Sequence, residues 1–217
     1  MRVFHFVNEK FGLEDLRSRH LKIATLQELN DPFELFGINQ SNETVRRAFQ
    51  SMKKQLSQNR GLLCFSRNWH NPVQWSHYAD CHRGVCLGFD VPDEKLGRVS
   101  YSRKRLVAEI DKLMLPHQVD AETAIKFLFT KYAHWKYEDE VRCFVTLDER
   151  EPNGLYFAEF SEQLNLMQVI VGAESSISRE TLRQALGNLA SNVSVIKARL
   201  AFKSFMVVRQ KNERLWI

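Results

Sequence analysis

Residues 61–91, GLLCFSRNWHNPVQWSHYADCHRGVCLGFDV, constrain the fold more than any other part of the chain. Residues 62–65 and 84–89 are unbroken apolar runs of strand length, rich in Val, Phe and Cys, a pattern that belongs to strands buried on both faces. Between them Asn71 is placed to cap a helix whose first position is Pro72, where the missing N–H of proline costs nothing. That short helix carries Trp75, His77 and Tyr78, with Cys81 just beyond. Large side chains with one polar handle each suit an aromatic core helix or the wall of a pocket. The remainder of the chain is arranged around this strand-helix-strand unit.

Before it, residues 2–7 alternate as a strand does, with His5 in the middle. Residues 13–20 fit a short helix and 21–24 a short extended piece. Asn30-Asp31-Pro32 is turn chemistry, because the residue before proline is pushed out of the helical region and Asn or Asp side chains bond nearby backbone. Residues 43–58 form a polar helix with an apolar stripe at Val45, Phe49, Met52 and Leu56. After the central unit, 97–102 reads as a strand, and 106–115 and 121–132 as helices separated by Pro116. Strands follow over 140–147, 154–160 and 166–171, a helix capped at Ser178 runs over 178–189, and one or two strands lie in 194–209. With 217 residues and no repeat, low-complexity tract or linker, a single domain over 1–217 is expected. The fold class is α+β, with a mixed, largely antiparallel sheet and flanking helices.

Composition narrows the setting. An apolar content of 44% and a charged content of 26% describe an ordinary globular protein. No apolar run reaches the length of a membrane span and the N-terminus lacks the apolar core of a signal peptide, so a cytoplasmic protein without membrane attachment is expected. Cys64, Cys81, Cys86 and Cys143 sit in or beside apolar segments and read as reduced core residues. His70, His77, Cys81 and His82 lack the paired spacing of a zinc site, and no metal is assigned. The net charge of +5 and a pI near 9.1 permit an acidic partner such as nucleic acid without demanding one.

Three polar constellations stand out. Glu138 and Glu140 open a strand, and period two would set both carboxylates on one face, where like charges raise one pKa and repel. Arg142, two residues on, is the ordinary structural partner for Glu140. His5 sits alone on its strand, as a satisfied core histidine or a functional one. Ser66 directly follows the strand over 62–65, where a hydroxyl either turns the chain or serves a site.

The order of these features, His on a first strand, then strand-Ser-helix-strand with an aromatic helix, then a strand opening Glu-x-Glu, resembles the layout of the ADP-ribosyltransferase superfamily. A second likeness is to a bacterial family of uncharacterised function associated with phage defence. Its motifs N-D-P-F-E, W-x-H-Y-A-D followed by G-V-C-L-G-F, and W-x-Y-E-x-E-x-R fall here on residues 30–34, 75–80 with 84–89, and 135–142.

The first resemblance implies an ADP-ribosyltransferase-like fold that cleaves NAD as a substrate and transfers ADP-ribose to a macromolecule, nucleic acid or protein. Glu140 would stabilise the oxocarbenium-like transition state, Glu138 would orient or deprotonate the acceptor, and His5 would bind ribose or phosphate. Ser66 would brace Glu140, Trp75 and Tyr78 would flank the nicotinamide, His77 would join them in binding the NAD, and Asn30 and Asp31 would hold the rim. The second resemblance implies a defence or toxin effector with a cognate antitoxin or defence partner. Two other readings stand beside this one: a nucleotide- or nucleic-acid-binding defence module without turnover, and a metal-dependent nuclease holding Mg²⁺ on Asp31, Glu34, Glu138 and Glu140.

Overall fold

The computed structural model describes residues 1–31, 33, 39, 41–106 and 126–216. It is α+β, and ten strands join in one mixed, mostly antiparallel sheet. Strand β1 (Arg2–Val7) alternates as its sequence does, sending Val3 into one apolar layer and Phe4 and Phe6 into the other. The Asn8 side chain accepts from the Phe11 N–H and so starts α1 (Glu9–Ser18), which ends where Arg19 turns left-handed at φ 60°. The helix therefore begins four residues ahead of the expected position, because its first turn is polar and carries no apolar periodicity.

Strand β2 (His20–Thr25) and helix α2 (Glu43–Asn59) follow, the latter capped by Asn42 and burying Val45 and Phe49. The central unit is β3 (Arg60–Ser66), α3 (Pro72–Tyr78) and β4 (Val85–Asp90), with the Asn71 side chain accepting from Val73 N–H at 2.9 Å. Strand β4 is buried along Val85 to Phe89 because it runs between β1 on one side and β10 (Asn165–Val171) on the other. Gly84 enters β4 so close to the preceding strand that a Cβ would lie 2.1 Å from the Val7 carbonyl oxygen.

The chain continues through the short strands β5 (Gly97–Arg98), β6 (Ser100–Ser102) and β7 (Thr130–Tyr132) into β8 (Glu140–Thr146) and β9 (Tyr156–Glu159). Helix α4 (Arg179–Leu186) connects β10 to the parallel strand β11 (Ser194–Leu200), and β12 (Val207–Arg209) completes that end of the sheet. One apolar layer combines Leu13 and Leu16 of α1 with Leu182, Ala185 and Leu186 of α4 beneath the sheet. The opposite layer packs Trp75 and Ala79 against Phe4, Phe6, Cys86 and Ile170. Among the described residues no helix is long and apolar enough to cross a membrane.

Two expectations change. Residues 130–132, expected to end a helix, form β7 and pair in parallel with β6, setting Tyr101 opposite Lys131 and Ser102 opposite Tyr132. The remainder of that helix up to residue 125, and nearly all of the one expected over 106–115, lie outside the described residues. Glu138 and Glu140 do not share a strand face either: Glu138 ends a 3₁₀ turn (Ala133–Glu138), Asp139 adopts the left-handed conformation at φ 45°, and the strand begins at Glu140.

The feature that positions the site is a split in the sheet. One edge of β3 pairs with β8 over its whole length, from Arg60↔Thr146 to Ser66↔Glu140. The opposite edge is shared: β2 takes Gly61 and Leu62, and β1 takes Ser66. Between those contacts residues 63–65 have no ladder partner on that side among the described residues, which leaves a gap between β1 and β3. Backbone groups in such a gap need other partners.

Candidate functional site

The gap opens into a cavity of about 260 Å³. His5 reaches into it from β1, Cys64 and Ser66 from β3, Tyr78 from α3, and Glu138 and Glu140 from the turn and start of β8. Asn30 closes one rim and Lys131 of β7 lies beside the two carboxylates. His5 substitutes for the missing ladder: its Nδ1 lies 3.2 Å from the Cys64 carbonyl oxygen. A carbonyl only accepts, so Nδ1 carries the hydrogen and the neutral ring keeps Nε2 as an acceptor. Burial pushes the His5 pKa below the usual histidine value, against the opposing pull of the Cys64 carbonyl, which keeps the ring neutral near pH 7.

Lys131, Glu138 and Glu140 line the cavity, and Arg142 behind them completes a buried set of four charges. Lys131 Nζ lies 2.7 Å from Glu138 Oε2 and 3.2 Å from Glu140 Oε2. Arg142 grips Glu140 with two bonds, Nε to Oε1 at 2.7 Å and a terminal nitrogen to Oε2 at 2.9 Å, and donates a third to the Leu128 carbonyl at 3.0 Å. Arg142 is 1% exposed and the other three are at most 7% exposed, so this cluster is held by mutual neutralisation rather than by water. The Lys131 ammonium also sits 4.9 Å above the Trp135 ring centroid.

The two carboxylates differ in environment. Burial raises the Glu138 pKa, and Lys131 and the Tyr78 hydroxyl only partly oppose it. Glu140 is buried as well, yet Arg142 and Lys131 outweigh the burial and hold its pKa below the ordinary carboxylate range. The Tyr78 hydroxyl donates to Glu138 Oε1 and accepts from Asn30 Nδ2 at 2.6 Å, while burial and the neighbouring Glu138 charge raise its own pKa. Tyr101 accepts from the Glu140 N–H at 2.8 Å, and its pKa is pushed up to about 12, chiefly by burial.

Six of the residues singled out from sequence, His5, Asn30, Ser66, Tyr78, Glu138 and Glu140, line this cavity. The Ser66 hydroxyl, expected to brace Glu140, instead donates to the Asn68 carbonyl at 3.0 Å and accepts from Gln74 Nε2 at 3.1 Å. Trp75, expected against a bound ring, is fully buried in the apolar layer, edge-on to Phe6 at 5.2 Å, with its indole N–H donated to the Trp69 carbonyl at 2.6 Å. It lies outside the lining because it faces into the layer under β1. His77 is also outside, 2.8 Å from the Tyr137 hydroxyl and facing an open depression that includes Lys10 and Asp80. Asp31 is buried, with Oδ1 accepting from the Phe33 N–H at 2.9 Å and Oδ2 lacking a hydrogen-bond partner among the described residues. Glu34 lies outside the described residues.

Residues 74–143 match the model of a family described as proteins of unknown function, DUF2971. No curated protein and no solved structure matches the chain. The matched span carries Tyr78, Lys131, Glu138, Glu140 and Arg142, while His5 and Ser66 precede it.

Sequence reasoning missed Lys131, the cation that both carboxylates share, because the segment around it was assigned to a helix over 121–132. A signal was present: a single lysine inside FLFTKYAHW, where almost every neighbour is apolar or aromatic, is a lysine with a buried partner. Gln74, which ties Ser66, Asn68 and the Tyr137 carbonyl together, was missed for want of any local pattern. Among the described residues no group of three or more His, Cys, Asp or Glu side chains is placed to hold a metal ion.

Proposed function

We propose that the cavity binds the nicotinamide-ribose end of NAD and that the chain transfers ADP-ribose to a macromolecular acceptor, in the manner of an ADP-ribosyltransferase-like enzyme. The observation that carries this reading is the convergence of His5, Tyr78, Glu138 and Glu140, from separate elements, on one cavity in the split of the sheet. A volume of about 260 Å³ suits a nicotinamide-ribose unit, with the adenylate end lying outside. The neutral His5 ring offers Nε2 to a ribose hydroxyl.

The opposite pKa directions of the two carboxylates fit two roles. Glu140, held ionised, supplies negative charge beside the anomeric carbon as the C–N bond breaks and its electron pair leaves with nicotinamide. Glu138, poised upward, accepts the proton of the acceptor as the new bond to that carbon forms. The likeness of residues 30–34, 75–80 with 84–89, and 135–142 to a phage-defence-associated family supports a defence or toxin effector, restrained by a cognate partner.

One observation favours a second reading, a nucleotide-binding module without turnover: the two-point grip of Arg142 offsets the Glu140 charge that catalysis would use. Purified protein incubated with NAD and assayed for free nicotinamide separates the two. Release that falls at least about a hundredfold in Glu140→Gln, in protein that a thermal melt shows to be folded, supports the transferase. NAD binding by calorimetry with no release supports the module, and absence of both overturns the cavity as a nucleotide site.

A further inference from the structure

A second cavity, of about 240 Å³, shares Lys131 with the first. Its walls include Arg103, Lys104 and Arg105, together with the rings of Phe33 and Tyr132, and among the described residues no Asp or Glu lines it. The β6–β7 pairing that places Tyr101 beside Lys131 also places Ser102 beside Tyr132, so the cationic loop begins directly next to the carboxylate cluster. The Ser102 hydroxyl donates to the Lys104 carbonyl at 2.5 Å and accepts from the Lys104 N–H at 3.2 Å, which folds the loop back on itself and presents Arg103 at its tip.

All three loop cations are exposed, and none of them forms an ion pair among the described residues. Three adjacent cations with no acid beside them among the described residues repel one another, and a bound counter-charge relieves that repulsion. The rings add a second signal. Phe33 is 51% and Tyr132 43% exposed, although burial would favour both. The Arg105 guanidinium lies 4.8 Å over the Phe33 ring, and Tyr132 stacks on His134 with centroids 4.6 Å apart, so the two rings are held as surfaces rather than tucked away.

We infer that this cavity and its rim hold a single-stranded nucleic-acid segment, with phosphates on Arg103, Lys104 and Arg105 and a base against Tyr132 or Phe33. Cations that follow the backbone and aromatic faces that take bases are the two components of sequence-tolerant strand binding. As the identity of the acceptor, the inference rests on the transferase reading above, because the shared Lys131 puts a base held here next to the anomeric carbon held there. As a binding site it needs no NAD.

The test is fluorescence anisotropy with a labelled single-stranded oligothymidylate in the absence of NAD, as a function of salt. Binding is expected to weaken steeply with salt, by a slope of about −0.7 for each phosphate neutralised. In the double variant Arg103→Ala/Arg105→Ala the affinity falls at least about tenfold and the slope shrinks by about 1.4, since two phosphate contacts are lost. Tyr132→Ala weakens binding about fivefold or more while leaving the slope unchanged, because stacking carries no counterion term. The substituted side chains are exposed, and an unshifted thermal melt confirms that each variant is folded.

Unchanged affinity in the double variant overturns the site. Equal competition by inorganic polyphosphate and unlabelled oligonucleotide, with no effect of Tyr132→Ala, overturns the nucleic-acid assignment in favour of a general phosphate site. Absence of oligonucleotide binding overturns the inference, and calorimetric binding of inorganic pyrophosphate or NAD that the double variant then loses reassigns the cavity to the diphosphate of the nucleotide. Oligonucleotide binding that the double variant loses, in a protein that releases no nicotinamide, leaves the site standing and removes the transferase reading alone.

Discussion

Glu140→Gln separates a buried structural carboxylate from a surface one. In the parent, Arg142 at 1% exposure makes two bonds to Glu140, and Lys131 makes a third contact to the same group. Glutamine keeps the shape and one acceptor oxygen but removes the charge, so Arg142 stays buried with half its partnership. Breaking a buried pair from one side costs about 3–5 kcal/mol, and the retained acceptor argues for about 3 kcal/mol here. For a chain of this size each kcal/mol moves the melting temperature by about 2–4 °C, which puts the expected drop at roughly 6–12 °C. Glu138→Gln should cost about 1 kcal/mol or less, because burial already penalises its charge and Lys131 keeps Glu140.

Urea denaturation of Glu140→Gln, Arg142→Met and the double variant closes the cycle. The double variant should be more stable than the sum of the two single losses implies, because removing both charges leaves neither one orphaned. An additive double variant, or Glu140→Gln melting at the parent temperature, would refute the reasoning that a mutually neutralised buried cluster holds this end of β8. The pH dependence has a definite sign. The Glu140 pKa is depressed in the folded state, so its stabilisation is present above the unfolded carboxylate pKa and is lost as pH falls through the folded value.

Asp15 provides the opposite case: it is buried on α1, and burial with the nearby Glu14 pushes its pKa to about 7, so the folded state holds an extra proton between about pH 4 and 7. Stability should fall as pH rises through that window, and Asp15→Asn should be more stable than the parent at pH 8 by a few kcal/mol, at about 1.4 kcal/mol per unit, with little difference at pH 4. Tyr78→Phe leaves Asn30 Nδ2 without its acceptor and Glu138 without its hydroxyl donor, and should cost about 1–3 kcal/mol by denaturant titration; a loss under a few tenths would mean that the Asn30–Tyr78–Glu138 chain is not formed. Gly84→Ala should fail to fold or lose several °C in a thermal melt, since the new Cβ meets the Val7 carbonyl oxygen at 2.1 Å on strands that cannot separate; an unchanged melt would refute that register.

What could be read from the sequence was local. The capping of α3 by Asn71 before Pro72, the alternation of β1, the doubly buried run in β4 and the apolar stripe of α2 each depend on residues within a few positions of one another, so pattern and backbone preference were enough. His5, Tyr78 and the two glutamates were also visible as residues with a functional reading beside the ordinary packing one. Their meeting place was not visible. It depends on β3 lending one edge to both β1 and β2 and leaving a gap, and strand pairing at long sequence separation leaves no mark in any short window.

Lys131 shows the same limit most sharply. It was read as part of a helix over 121–132, and the parallel pairing of β6 with β7 carries it under Glu138 and Glu140. The two carboxylates were expected together by strand period, and they do come together, but through the left-handed turn at Asp139 and a shared cation. The sequence by itself determined the locally patterned strands and helices, β1, α2, α3 and β4 among them, and which polar residues to weigh, because those are short-range properties of the chain. The tertiary structure alone decided which of those residues face one cavity and which charges neutralise one another, because burial and ion pairing are set by contacts between segments far apart in sequence.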